Sequence, residues 1–275
     1  MSKVLPTALI VMFFLAPTAR AASPRPRSTH FTLAQVVAGG WRTPAFVNRD
    51  RYRHPLKVLE FFRIEPQMTV IELEPGGGWW TEILAPYLKE DGRLIEAIPP
   101  GNAKNGSMRR MYQRFVAKMK ANPGLYSQVS ITPFAPPARV TLGKPDSADR
   151  VLTFRNLHNW KIKHVLPQVF RSVYRVLKPG GIFGVVAHRA LPYANPGISA
   201  PELHRLPEDY VIGLALKTGF RLDGVSEINE NPRDPLTINV HRLPPDLAWG
   251  DTSAQKKAYK KIGESDRMTL RFIKP

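Results

Sequence analysis

The chain has 275 residues, 43% of them hydrophobic, which suits one large domain with small additions and leaves too little for two. It contains no cysteine, which excludes disulfides, thiolate metal sites and cysteine nucleophiles. The formal charge of +18 favours anionic surfaces such as phospholipid headgroups, acidic polysaccharide or nucleic acid. The basic residues are scattered, densest at 49–53, 109–120 and 256–261, and no nucleic-acid motif interleaves them with aromatics. A solvated basic surface is therefore the expectation, above a dedicated polyanion site.

Residues 1–21 read as a signal peptide. Lys3 gives a positive start, 4–15 is mostly apolar, and Ala19-Arg20-Ala21 forms a small-residue cleavage signal. The apolar run falls short of the roughly 20 residues that span a bilayer, so cleavage after Ala21 is expected rather than a retained anchor. Export, to the periplasm or beyond, follows from that reading, with no transmembrane segment left in the mature chain.

Residues 22–66 are expected to form a proline-containing leader and a small helical cap, with Leu56, Leu59 and Phe62 along one stripe. From 67 to 275 strands alternate with helices. Strands are expected at 68–73, 92–98, 129–132, 149–154, 182–188, 222–228 and 268–273. Helices are expected at 81–88, 108–122, 165–177 and 207–218. In the 108–122 helix, Met111, Phe115 and Met119 share one side opposite Arg and Lys. This order predicts an α/β, Rossmann-like doubly wound fold, its sheet mostly parallel with helices on both faces. Ligands in such folds sit beyond the carboxyl ends of the strands.

The first strand ends in Glu72-Leu73-Glu74-Pro75-Gly76-Gly77-Gly78. Glycines after a buried strand let the backbone turn and approach a ligand without a Cβ in the way, and the helix beyond offers free N–H groups. A buried Glu72 needs a cationic or hydrogen-bonding partner, either a structural salt bridge or a ligand. The fourth strand ends in Phe154-Arg155-Asn156-Leu157-His158-Asn159-Trp160. There His158 has the pKa range of a general base, while Arg155 and Asn156 have the chemistry to orient a polar or anionic substrate; a purely structural His158 is the alternative. His188 and Arg189 follow the fifth strand and open onto the same crevice, and Glu202 and His204 fall in the next loop, as parts of a lid. Trp79 and Trp80 are expected as wall or core. The histidines show no HxxxH or HxH spacing, so no metal site is expected.

The segment Glu72–Gly78 resembles the first motif of class I S-adenosylmethionine (SAM)-dependent methyltransferases, and 149–154, the turn at 177–181 and Gly219-Phe220 resemble that family's later landmarks. More narrowly, 76–84 with 154–160 resembles a subgroup of exported bacterial methyltransferases. The resemblance implies SAM as cofactor. It places Glu72 near the methionine ammonium, Glu74, Gly76, Gly77 and Gly78 around the cofactor, and 155–160 opposite the transferred methyl. It also implies a small or envelope-associated acceptor. Where the family carries a ribose-gripping acid this chain has Ile98, and Glu96 is the residue expected to substitute from deeper in the sheet. A non-catalytic exported module that binds an anionic ligand or a protein is the competing reading. A nicotinamide oxidoreductase ranks last, because the loop lacks G-x-G-x-x-G spacing. If residues 1–21 direct export, N-terminal sequencing of the protein recovered from the periplasm or medium should start at Ala22; a cytoplasmic product retaining Met1 would refute it.

Overall fold

The structure, a computed structural model, describes residues 30–248 and 250–275. The expected signal peptide lies outside the described residues. Four short helices open the described chain: α1 (Leu33–Val37), α2 (Pro44–Val47), α3 (Asp50–Arg53) and α4 (Pro55–Phe61). Then follow β1 (Thr69–Leu73), α5 (Thr81–Leu88), β2 (Arg93–Ile98), α6 (Gly106–Ala121), α7 (Pro123–Tyr126), β3 (Ser130–Pro133) and β4 (Ala148–Phe154). The chain continues with α8 (Leu157–Ile162), α9 (Leu166–Val176), β5 (Leu177–His188), α10 (Pro196–Leu203), α11 (Glu208–Thr218) and β6 (Arg221–Ser226). A single 3-10 turn at Val240–Arg242, α12 (Ser253–Ile262) and β7 (Arg267–Ile273) complete it.

The seven strands form one sheet in the order β3-β2-β1-β4-β5-β7-β6, in which β7 runs antiparallel to both its neighbours. This is the expected Rossmann-like, mostly parallel sheet. Side chains alternate across it with the period of two that a strand imposes. Ile71, Leu73, Val151, Phe183 and Val185 face one apolar layer with Phe170, Val173 and Phe220 from the helical side. Val70, Leu94, Leu152 and Val186 face the other, built from the cap residues Val36, Val58, Leu59 and Phe62 with Trp79, Trp80 and Ile83. The expected cap stripe is confirmed at Leu59 and Phe62, both fully buried. By the same alternation Glu72 and Glu96 point into the cap-side layer.

Three expectations need correction. α6 forms, and of its apolar stripe Phe115 is buried and Met119 packs against the cap-side layer, but Met111 is exposed. Most of 155–160, expected as a loop, belongs to α8: Leu157 and Trp160, one turn apart, are both fully buried. α10 and α12 were not expected. Two prolines obscure the first, and the second, lysine-rich helix buries no residue. The 256–261 basic run thus lies on a solvated helix, as composition suggested.

Arg205 secures the loops above β5. Fully buried, it donates to Asp234 through both carboxylate oxygens at 3.0 and 2.8 Å, to the Arg189 carbonyl at 3.0 Å and to the Ile238 carbonyl at 2.9 Å. Asn239 adds a bond to the Glu202 carbonyl at 2.6 Å. The segments around 189, 204 and 234–241 are held as one unit. Removing one partner of a buried ion pair strands the other charge, at a cost of about 3–5 kcal/mol. Arg205→Ala should therefore lose about that much stability in urea unfolding, and pairing an Arg205→Met with an Asp234→Leu change should recover a large part of it. Equal losses in the single and double variants would show that the pair itself is not the cause.

Candidate functional site

β1, β4 and β5 end at the same edge of the sheet, and their carboxyl ends bring the sequence-predicted residues together. Between β1 and β4 the strand order reverses, which is where open α/β sheets leave a crevice. A cavity of about 310 Å³ opens there, lined among others by Glu72, Glu74, Gly76, Gly77, Trp79, Trp80, Arg155, Asn156, His158 and His188. A second cavity of about 520 Å³ shares Gly76 and Gly77 and is walled by Arg110, Met111, Arg114, Phe115 and Lys118 of α6. The glycine loop is thus the ridge between two cavities.

Its conformation explains its composition. Gly76 has φ +60° and Gly78 φ +79°, the left-handed region in which a Cβ is strained. At Gly76 a built Cβ would meet nothing within 4 Å: the space in front of the backbone is open. Glu74 takes φ 48° despite its side chain, and its N–H donates to the Ala97 carbonyl at 2.9 Å. Asn156 holds the loop from the other side, donating to the Leu73 carbonyl at 2.8 Å and more loosely to the Glu74 carbonyl and Thr153. With its amide nitrogen so engaged, Asn156 positions the loop, rather than orienting an acceptor as expected. Lys118 donates to the Gly77 carbonyl at 2.9 Å and pairs with Glu82 at 2.7 Å. Glu82 in turn accepts from the Thr43 amide and hydroxyl, tying the cap to the loop.

Glu72 and Glu96 are register partners on neighbouring strands, both buried. The Thr81 hydroxyl donates to Glu72 at 3.4 Å, and neither Glu96 oxygen has a hydrogen-bond partner of good geometry. Burial raises both above the ordinary carboxylate range: Glu72 to about 8, against the Thr81 hydroxyl and the Glu96 contact, and Glu96 well above its usual value, where the charge of Glu72 adds to the effect. Glu72 lines the cleft. Glu96 does not: it lies beside Glu72 on the neighbouring strand, fully buried, which departs from the expected ribose contact. Desolvation also raises Glu74, opposed by the Trp160 indole and Lys163.

On the β4–β5 side, Arg155 has φ 69° and donates from Nε to His188 Nε2 at 3.2 Å. His188 Nδ1 therefore carries its proton and donates to Ser265 Oγ at 2.6 Å. Both ring nitrogens are occupied, so His188 orients Arg155 and has no proton to exchange with a substrate. Burial lowers the pKa of Arg155 to about 10 and holds His158 and His188 well below the usual histidine range, with neighbouring His204 and Arg155 adding to the effect on His158. His158 is thus neutral at physiological pH and able to accept a proton. His204 stands beside it, ring centroids 5.1 Å apart, whereas Glu202 is exposed and outside the cleft lining. Arg189 turns away from the cleft to Glu208, Glu227 and Asp266.

The sequence reading missed one component. Arg49, Arg53 and Arg267 converge on Glu264 at 2.5, 3.6 and 3.0 Å, and Arg49 and Arg53 also line the cleft. Glu264 is held down to about 2 by these arginines against its burial, while Arg53 is pushed well below its usual value by burial and by Arg155. Arg53 also lies over the Trp79 ring at 4.7 Å, and Trp80 stacks on Phe154 at 4.1 Å. The 49–53 cluster is therefore part of the cleft wall. Its density was visible in the sequence, but the single remote acid that gathers it was not.

No family model matches the chain, and no curated protein sequence does. Among solved structures it is similar to a SAM-dependent methyltransferase from Aquifex aeolicus, with a TM-score of 0.53 and 17% identity over 72% of this chain and 94% of that one. It is also similar to the cyclase SpnF, with a TM-score of 0.56 and 15% identity over 88% and 91% of the two chains. At such identities the likeness shows the fold, and these two neighbours are described with different chemistries.

The carboxyl pair has a measurable consequence. An acid whose folded pKa is raised binds more protons folded than unfolded, so its contribution declines as pH rises from about 4.5 towards the folded value, by at most ~1.4 kcal/mol per pH unit. The buried histidines act in the opposite sense at and below about pH 6.5, because their folded pKa values are lowered. The difference between wild type and Glu96→Gln isolates the pair: the variant should gain stability relative to wild type as pH goes from 5 to 8. A pH-independent difference in urea unfolding would mean that Glu96 is not protonated in the fold.

Proposed function

We propose that the protein is a SAM-dependent methyltransferase acting outside the cytoplasm on a small or envelope-associated acceptor. The observation that carries the reading is the open glycine cradle at the switch point, with the buried acid Glu72 beneath it and a neutral His158 across the cleft. Gly76 fits SAM: the space that a Cβ would enter is open, as a ligand lying against the backbone requires. Glu72, Glu74, Gly76 and Gly77 would hold the cofactor, and Asn156 would keep their loop in place. When bound, SAM supplies a methyl group on a sulfonium.

The chain's own residues then position and shield. Trp79 and Trp80 wall off water, Arg155 faces the cleft from its His188 prop, and His158 removes a proton from an acceptor that must lose one. Action outside the cytoplasm rests on the signal-peptide reading of residues 1–21. Among the described residues, no helix is long and apolar enough to cross a membrane. Contact with an anionic surface rests on the overall charge.

One observation favours the second reading, a non-catalytic module for an anionic ligand: Arg110, Arg114 and Lys118 line the cavity on the other side of the glycine loop, and the β2 end offers Ile98 where an acid would grip a ribose. Calorimetry separates the two. SAM should bind the purified protein, Gly76→Val should abolish binding by filling the cradle, and Glu72→Gln should weaken it by ~1–3 kcal/mol. With an acceptor in hand, His158→Ala should slow turnover ~10²–10⁴-fold while SAM affinity stays unchanged. Binding of pyrophosphate without any binding of SAM would replace the methyltransferase reading with the second.

A further inference from the structure

We propose that His158, His204 and His241 form a three-imidazole site for a divalent transition-metal ion of the Zn²⁺ type, open on the side of the cleft. One ring nitrogen from each residue lies within 4.8 Å of the other two. The rings contact in sequence, His158 to His204 at 5.1 Å and His204 to His241 at 4.5 Å between centroids, both edge-on. A tetrahedral ion with Zn–N bonds of about 2.0–2.1 Å needs nitrogens roughly 3.3 Å apart, so loading draws the rings together by about 1.5 Å or less. His204 closes α10 and His241 sits in a single 3-10 turn, both half-buried, so side-chain rotation can supply that movement.

Two further features match a metal centre. His241 Nδ1 is held by Asp246 Oδ2 at 2.7 Å, the carboxylate–imidazole pairing that orients a metal-binding histidine. Arg205 fastens the backbone on both sides, through the Arg189 and Ile238 carbonyls and Asp234, so His204 and His241 are set on a rigid frame. His188 is excluded as a ligand, since Arg155 and Ser265 occupy its two nitrogens. Three imidazole ligands favour Zn²⁺ and its later first-row neighbours over Mg²⁺ or Ca²⁺, which prefer oxygen. His158 and His241 both line the cleft, so the fourth position faces it. With Arg155 close by, the group completing the shell should be anionic: hydroxide, or a carboxylate, phosphate or thiolate of the acceptor. With its lone pair on the ion His158 would no longer serve as the base, and the metal-bound hydroxide would take the acceptor's proton instead; that step rests on the methyl-transfer reading, while occupancy by the metal does not.

The test uses the whole purified protein, stripped with a chelator and titrated with Zn²⁺, with bound metal counted by elemental analysis. Wild type should bind about one ion per chain and gain thermal stability on loading. His204→Ala and His241→Ala should each lose the tight site, and Asp246→Asn should weaken it about 10–100-fold. His188→Ala and the remote His30→Ala should keep it. Co²⁺ loading offers a check that needs no variant: wild type should show the visible absorption of a four-coordinate nitrogen–oxygen site, displaced by Zn²⁺. Circular dichroism reports whether each variant folds. Wild type without stoichiometric Zn²⁺ or the Co²⁺ spectrum, or folded His204→Ala and His241→Ala that bind as tightly as wild type, would overturn the proposal. SAM titration of the metal-free protein reads the methyltransferase assignment separately, so either can fail alone.

Discussion

Charge taken out of water at the carboxyl edge of the sheet is the constraint around which this molecule is arranged. A parallel sheet covered on both faces leaves little room for ions inside, yet Glu72, Glu96, Glu264, Arg53, Arg205 and Arg267 are all buried. Each is accommodated differently. The acids on β1 and β2 stand side by side without a guanidinium bonded to either, so protonation is the available relief. Glu264 instead remains ionised under three arginines. Arg205 has a partner at each of its three nitrogens, with four bonds to Arg189, Asp234 and Ile238.

These solutions divide the cleft. Its floor towards β1 is Glu72, a carboxyl raised to about 8 and able to meet a cation by releasing a proton. The wall between the cap and β7 carries excess positive charge, since Arg49, Arg53 and Arg267 share one carboxylate and Arg155 stands near them. A ligand carrying both an ammonium and a carboxylate meets complementary charge on both sides. The same ion pairs fasten α3 of the cap to the start of β7, and the cap's Val58, Leu59 and Phe62 share an apolar layer with β1, β4 and β5. Cap and sheet are energetically continuous, although composition alone suggests a boundary near residue 66.

The centre of the sheet was legible because β1, β4 and most of β5 are apolar runs bounded by turn residues, and Glu72–Gly78 stood out because an acid and three glycines interrupt the first of them. What stayed hidden depends on residues far apart in the chain. Nothing around 264 marks that acid as the partner of Arg49, 215 residues away. Asn156 has the residue type of a substrate contact, and only its 2.8 Å bond to the Leu73 carbonyl shows that it serves the loop. Glu96 was noticed for its register on the strand face. That register places it against Glu72 inside the cap-side layer, where burial first and the neighbouring acid second determine its state.

The histidines carry the same lesson further. Spacing rules for metal sites capture ligands one or two helical turns apart on a single element, and by that rule this chain has none. Here the three rings come from α8, the end of α10 and a 3-10 turn, and they meet because a fourth residue, Arg205, binds the backbones on either side of 204. Arg205 follows His204 directly in the chain, the Ile238 carbonyl it binds lies three residues before His241, and the arginine belongs to no motif. The fold shared with SpnF and the Aquifex methyltransferase fixes where a ligand can lie. What happens to that ligand is decided by loops that the fold leaves free, and in this chain those loops bring imidazoles to the side of the cleft facing the glycine cradle.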